Sequence, residues 1–212
     1  MLNLNYDTSN LQLDSLLEIE PATHTRLLSA LMDRLECGVM ACGPEGELYH
    51  ANNAARRELT DASRLRLVGG RVCTDAVRQD LWCSALHDAA MRHRTRLLTF
   101  ESGGDHLSVA LVPVHVDGFE IPAVVVMLGR KMVCSQLGLE MLSARHSLTH
   151  AERRVLRALI SNSTTKEIAA SHGVATATVR TQIQSVREKL GVRSIDALLL
   201  RAAELPPITA RY

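Results

Sequence analysis

The stretch LTHAERRVLRALISNSTTKEIAASHGVATATVRTQIQSVREKLGVRSIDALLLRAA, residues 148–203, decides the fold of the last quarter of the chain. Thr149 and Glu152 stand three residues apart ahead of an apolar run. In a capping box at this spacing, a hydroxyl accepts from the helix backbone and a carboxylate reaches back to the cap. Val155, Leu156, Leu159 and Ile160 give the ensuing helix one apolar stripe, and Asn162 tolerates the left-handed conformation that ends it. Thr164 or Thr165 then caps a short second helix holding Lys166, Ile168 and Ala169. Gly173 opens a tight turn. Thr176 is expected to cap a third helix, about Ala177 to Leu190, that buries Val179, Ile183, Val186 and Leu190. Arg180, Thr181, Gln184, Ser185 and Arg187 fall on its other face. After Gly191 a fourth helix turns Ile195, Leu198, Leu199 and Ala202 inward.

A helix bearing Arg and Gln on one face suits the major groove of B-DNA, where purine edges offer matching acceptors and donors, while flanking Lys, Ser and Thr hold phosphates. The charge distribution agrees. Residues 1–144 carry 13 basic and 18 acidic side chains, residues 145–212 carry 11 and 5, so the overall +1 divides into about −5 and +6. A basic segment on an acidic body points to a polyanion, because neutralised phosphates release condensed counterions.

The blocks L-T-x-x-E-x-x-V-L, K-E-I-A, T-V-R and K-L-G-V occur here in the order and spacing of the LuxR/FixJ-type helix-turn-helix family, which residues 147–203 resemble. The resemblance implies a four-helix DNA-binding unit, a homodimer on two-fold symmetric duplex sites, and dimer contacts from the fourth helix. It further implies phosphate contacts by Lys166, Thr176 and Thr178, base-edge contacts by Arg180, Thr181 and Gln184, and a place near the DNA backbone for Lys189. Three positions depart from the family pattern: His172 stands where Leu is usual, Asn162 replaces the common Gly, and Ile195 holds a position often Arg. The alternative is a protein-interaction adaptor whose Lys and Arg merely solvate a helical face. Salt dependence separates the two.

Upstream, apolar segments alternate with Gly, Pro and Asp, the pattern of a mixed sheet-and-helix domain. Thr25 to Glu36 places Leu27, Leu28, Leu31, Met32 and Leu35 on one helical face. Cys37 to Cys42 and Leu48 to Ala51 read as strands joined by the turn Pro44-Glu45-Gly46-Glu47. Asn52-Asn53 caps a short helix through Leu59, and Gly69-Gly70 marks a further turn. A longer helix capped by Thr74 or Asp75 runs to about His93, with Val77, Leu81, Trp82, Ala85, Leu86 and Ala89 inward. Thr95 to Glu101, Leu107 to Val116 and Ile121 to Leu128 form a meander through the turns Ser102-Gly103-Gly104-Asp105 and Asp117-Gly118-Phe119.

The order of hairpin, helices and meander, with Glu45-Gly46-Glu47-Leu48-Tyr49-His50-Ala51-Asn52-Asn53-Ala54 at its first turn, resembles the PAS sensor fold; a GAF-like domain is the rival. The whole is thus read as α+β: a PAS-like antiparallel sheet with helices, then an all-α four-helix helix-turn-helix domain. The expected boundaries are an N-terminal arm or helix at 1–23, a PAS-like sensor or dimerisation domain at 24–131, a linker helix at 132–146, the DNA-binding domain at 147–205 and a tail at 206–212. Leu11, Leu13, Leu16 and Leu17 would let the N-terminal segment cover the sheet. Val133, Leu137, Leu139, Met141 and Leu142 surround Gln136 and Glu140 in the linker.

A PAS-like domain can hold an effector between sheet and helices, and Val39, Leu97, Leu107, Val109, Leu111, Val124 and Val126 would line such a cavity or simply fill the core. No cofactor is expected. Haem would need an axial ligand from His87, His106 or His115, and an isolated His is more often structural. Flavin would need an aromatic-lined pocket, and only Tyr49, Trp82, Phe100 and Phe119 are aromatic in this domain. His87 and Met91 lie one helical turn apart, too few ligands for a metal. Cys37, Cys42, Cys73, Cys83 and Cys134 form no C-x-x-C pair and read mostly as small buried hydrophobes. A receiver domain lacks its early acidic pair here, and a lactone-binding domain its aromatic residues, which amount to 3% of the chain. No nucleophile, base and orienting group come together and no phosphate-binding loop is present, so the chain is read as a non-enzyme. The acidic N-terminus lacks a signal-peptide pattern and no long uncharged apolar run occurs, so a cytoplasmic location is expected.

Overall fold

The computed structural model of the chain describes residues 21–62, 64–102, 105–115, 122–129 and 134–209. Residues 1–20 of the arm expected at 1–23, the turn tips at Gly103-Gly104 and 117–119, and Val133 lie outside the described residues. Helix α1 (Pro21–Met32) leads into β1 (Val39–Cys42) and β2 (Leu48–Ala51), followed by α2 (Asn53–Asp61). A small hairpin, β3 (Arg66–Val68) and β4 (Arg71–Cys73), turns at Gly69-Gly70. Helix α3 (Gln79–Arg92) precedes β5 (Arg96–Ser102), β6 (Asp105–Val114) and β7 (Ala123–Leu128). The main sheet is antiparallel in the order β2-β1-β7-β6-β5. First and last strands are neighbours at its centre, and α2 and α3 fill the connection from one edge to the other. This is the PAS-like arrangement.

Side-chain alternation sets which face is covered. Met40, Cys42, Leu98, Phe100, Leu107, Val109, Leu111, Val124, Val126 and Leu128 form one buried cluster with Trp82, Ala85, Leu86 and Ala89 of α3. One expected inward position is corrected here: Val39 is buried like its neighbour Met40, but Leu97, 72% exposed, alternates with the buried Leu98 and Phe100. A one-residue offset in a period-two element exchanges the faces. The fully buried Trp82 lies 6.3 Å from Phe100 and its indole N–H donates to the Val72 carbonyl at 2.8 Å. An open hollow of about 480 Å³ sits at the β2 edge, lined by residues including Tyr49, His50, Arg56 and Leu67.

Helix starts and ends differ from expectation for local reasons. Helix α3 begins at Gln79 rather than at a cap on Thr74 or Asp75. The Asp75 carboxylate accepts from the Arg78 N–H at 3.0 Å, and the Gln79 side chain accepts from the Thr74 N–H at 2.9 Å, closing a separate turn first. Val77 and Leu81 consequently face solvent. Helix α1 spans 21–32 instead of 25–36, with Leu27, Leu28 and Leu31 about half exposed. Cys42 and Cys134 are buried, Cys37 and Cys73 half-buried, and Cys83 exposed, so only two cysteines fit the reading as core hydrophobes. Burial pushes the Cys42 thiol up to about 12, assisted by Glu47, which suppresses thiolate chemistry there. His87, His106 and His115 are exposed, and among the described residues no cluster of three or more His, Cys, Asp or Glu is placed to hold a metal. No described helix is long and apolar enough to cross a membrane.

One buried amide closes this domain. Asn52 is fully buried, and its Oδ1 accepts from the N–H groups of Val39 (2.9 Å) and Ala55 (3.0 Å), the second contact capping α2. Its Nδ2 donates to the carbonyls of Met32 (3.0 Å) and Cys37 (2.9 Å). Asn52→Ala strands the Val39 and Ala55 N–H groups and the Cys37 carbonyl, the Met32 carbonyl keeping the Leu35 N–H, and each stranded buried partner costs about 1–3 kcal/mol. Chemical denaturation is expected to show a loss on the order of 3 kcal/mol without a change in slope. Asn52→Asp is expected to be about as damaging, because it sets carboxylate oxygen against two carbonyls; wild-type stability in either variant contradicts the role.

Candidate nucleic-acid interface

The C-terminal body is helical: α4 (Gln136–Arg145), α5 (His150–Ile160), α6 (Thr165–His172), α7 (Thr176–Leu190) and α8 (Ile195–Ala203). Helix α4 lies where the linker was expected. Its Leu139 and Leu142, with Cys134, share a core with Leu156, Ile160, Val186, Leu190, Leu198 and Ala202. Gly138 permits that packing, since a Cβ there would lie 2.9 Å from the Ser135 Oγ and 3.2 Å from the Cys134 Sγ.

A second cluster, Val155, Leu159, Ile168, Ala169, Val179 and Ile183, joins α5, α6 and α7 into one unit. The expected capping box of Thr149 with Glu152 forms, and of the two candidate caps of α6 it is Thr164 that serves, with Glu167 completing a second box. Asn162 takes φ 60°, and Gly173, at φ 66°, ends α6 before the turn Val174-Ala175 into α7. The expected cap of α7 is corrected: Ala175 occupies the N-cap position with no side-chain hydrogen bond, and Thr176 is the first helical residue. The first-turn N–H groups of α7 therefore lack a side-chain cap, a feature suited to anionic groups. Ile195, expected inward, is 38% exposed at the start of α8, where Ser194 caps. His172, in place of the usual Leu, is half-buried, and burial followed by the nearby Arg154 lowers its pKa, favouring the neutral ring.

The candidate contact residues divide into two groups. Lys166, Thr178, Arg180, Thr181 and Gln184 are exposed and Thr176 is half-buried. Gln184 donates only to Glu188 one turn on (2.9 Å) and Thr181 to the Ala177 carbonyl (3.1 Å), within the helix. Among the described residues Lys166 and Arg180 have no ion-pair partner, so their charge faces outward. Ser185, Arg187 and Lys189 are engaged inside the domain. The Arg187 guanidinium donates to the Arg193 carbonyl. The Ser185 hydroxyl donates to Glu152 Oε1 at 2.7 Å, and Lys189 Nζ to Glu152 Oε2 at 2.7 Å and to the Ser147 carbonyl at 3.2 Å.

Glu152 is thus a residue whose full role the sequence did not reveal beyond its place in the capping box. It is buried, and its Oε2 also accepts from the Thr149 N–H at 2.7 Å. Burial by itself would raise its pKa, but the bonds from Lys189, Ser185 and Thr149 together override it and bring the value down to about 2. One carboxylate therefore fixes the start of α5 against the middle and end of α7, setting the angle at which the exposed residues of α7 are presented.

Residues 146–202 match the family described as bacterial regulatory proteins, luxR family. No curated protein matches the chain significantly. Among solved structures, a complex of phage VqmA with DPO is 17% identical, with a TM-score of 0.39, over 88% of this chain and 93% of its own. The VqmA dimer of Vibrio cholerae in the absence of target DNA is 18% identical, TM-score 0.36, over 82% and 84%. The PAS domain of nitrogen regulation protein NR(II) from Vibrio parahaemolyticus is 16% identical, TM-score 0.33, over 49% and 97%. Likenesses this distant bear no weight alone. The C-terminal segment is a LuxR-type helix-turn-helix domain on the strength of its own match, and the sheet order makes the domain before it PAS-like.

The depressed acidity of Glu152 carries a pH signature. Its folded pKa lies below the ordinary value of 4.5, so its contribution is complete above about pH 4.5 and drains away as pH falls toward 2. Partial solvent screening reduces the contribution to on the order of 2 kcal/mol. Denaturation of wild type and Glu152→Gln at pH 7 and pH 3 is expected to show a stability difference that shrinks at the lower pH. An equal difference at both values rules out this carboxylate as the titrating tie.

Proposed function

We propose that the chain is a homodimeric, sequence-specific DNA-binding transcriptional regulator whose PAS-like domain senses a signal or mediates dimerisation. The observation that carries this is the exposed row Thr178, Arg180, Thr181 and Gln184 on α7, whose only side-chain hydrogen bonds among the described residues stay within that helix, while Ser185, Arg187 and Lys189 bind inside the domain. In this reading α7 enters the major groove. Arg180 and Gln184 read purine edges, Thr181 assists them, and Lys166, Thr176 and Thr178 hold phosphates. Ser185, Arg187 and Lys189 position α7, Lys189 and Arg187 adding positive potential near the DNA backbone. Double-stranded DNA is the partner, with two copies matching two half-sites.

An effector held between sheet and helices would meet Trp82, Phe100 and Met40, all buried there.

Titration of genomic fragments at several salt concentrations tests the reading. Wild type is expected to select discrete sites, with affinity falling steeply as salt rises. Arg180→Ala and Gln184→Ala should each lose about 1–3 kcal/mol of site preference while retaining non-specific binding. Lys166→Ala should weaken all sequences alike and flatten the salt dependence. Salt-insensitive binding to a protein partner, with no DNA retained at low salt, would favour the adaptor instead.

A further inference from the structure

The chain after α8 returns to the first domain. Leu205 packs on the helical core, and Ile208 then forms an antiparallel bridge with Leu35. The Glu36 N–H donates to the Pro207 carbonyl at 2.8 Å, and the Thr209 N–H donates to the Arg34 carbonyl at 2.9 Å. Leu35, Glu36, Pro207, Ile208 and Thr209 are each half-buried. The receiving strip lies between α1 and β1, flanked by the Met32 and Cys37 carbonyls that Asn52 holds.

This geometry gives the helical domain two attachments. One is the covalent path from β7 to Cys134; the other is the tail. A body tethered at one point can swing, whereas a body tethered at both ends of its chain is held in orientation. We propose that residues 207–209 and 34–36 form an interdomain clasp that fixes how α7 is presented relative to the PAS-like domain, and so sets the half-site spacing a dimer accepts. The spacing consequence rests on the dimeric DNA-binding reading above; the clasp does not.

The contact has the make-up of a reversible latch. Its main-chain pairing is a single bridge made by these two hydrogen bonds, a ladder short enough to open without unfolding either domain. Pro206 and Pro207 restrict the tail before it docks, which reduces the ordering cost of closure. Asn52 prepares the other side by fixing the carbonyls on both sides of the strip. Any change in the PAS-like domain that shifts β1 or the start of α2 moves Asn52, and with it the surface on which the tail closes.

Thr209→Pro in the full chain removes the N–H that the Arg34 carbonyl accepts, while Thr209→Ala keeps it. The Glu36 amide, on the opposite side of the clasp, is expected to exchange at least roughly tenfold faster in Thr209→Pro than in wild type or Thr209→Ala. Small-angle scattering should show a larger radius of gyration for Thr209→Pro alone, with circular dichroism unchanged. On the site selected by wild type, inserting a few base pairs between half-sites should cost wild type roughly tenfold or more in affinity and Thr209→Pro clearly less. Equal Glu36 exchange in all three chains overturns the clasp. Altered exchange with identical scattering and identical spacing profiles overturns its orienting role. If no chain binds DNA, the regulator reading fails, while exchange and scattering still decide the clasp.

Discussion

The Glu152 carboxylate is the constraint around which the DNA-binding domain is organised. A buried charge is costly unless its lone pairs are occupied, and Glu152 has both oxygens in use: one for the Ser185 hydroxyl, the other for the Lys189 ammonium and the Thr149 N–H. The same side chain therefore completes a local cap and a long-range tie. Since the two partners on α7 lie four residues apart, one turn of that helix is clamped. Its exposed residues are then aimed by a rigid unit rather than by a surface helix free to rotate.

Asn52 plays the corresponding part in the PAS-like domain. It caps α2 and also binds the backbone on both sides of the strip that precedes β1. An amide suits this position because it alone supplies two acceptor and two donor sites from one small group. Asp88 adds a third instance of a polar group joining elements: it lies on α3, ion-pairs with Arg92 and with Arg96 of β5, and has its carboxyl held below the usual range first by the Arg96 hydrogen bond. In all three, a residue chosen for a local reason also fixes two elements remote in sequence. The tail clasp continues this pattern across the domains, with backbone groups in place of side chains.

Much of this was legible in the sequence. Capping signals depend on residues three or so apart, so Thr149 with Glu152, Thr164 or Thr165 ahead of α6, and Asn52 ahead of α2 could be read directly. The left-handed residues Asn162 and Gly173 likewise announce themselves by side-chain sterics. The apolar periodicity of α5 and α7 separates buried from exposed positions because a helix face repeats over several turns. Strand faces were harder: β5 turns Leu97 outward and Leu98 and Phe100 inward, a choice that rests on one step of register. The early turn at Asp75 hid the true start of α3 and left Val77 and Leu81 outside.

The sequence by itself determined the order and type of the main elements, the helix-turn-helix unit, the charge division and the exposed row on α7, because each of these is set by local pattern or by composition. Tertiary structure alone decided what Ser185 and Lys189 do. They sit on the polar side of α7 by sequence, yet a carboxylate more than thirty residues away claims both. It alone placed α4 in the helical core and brought Pro207–Thr209 against Arg34–Glu36. Main-chain pairing between distant segments leaves no residue signature, since every non-proline residue carries the same donor and acceptor. Only the folded path of the chain determines which of them meet.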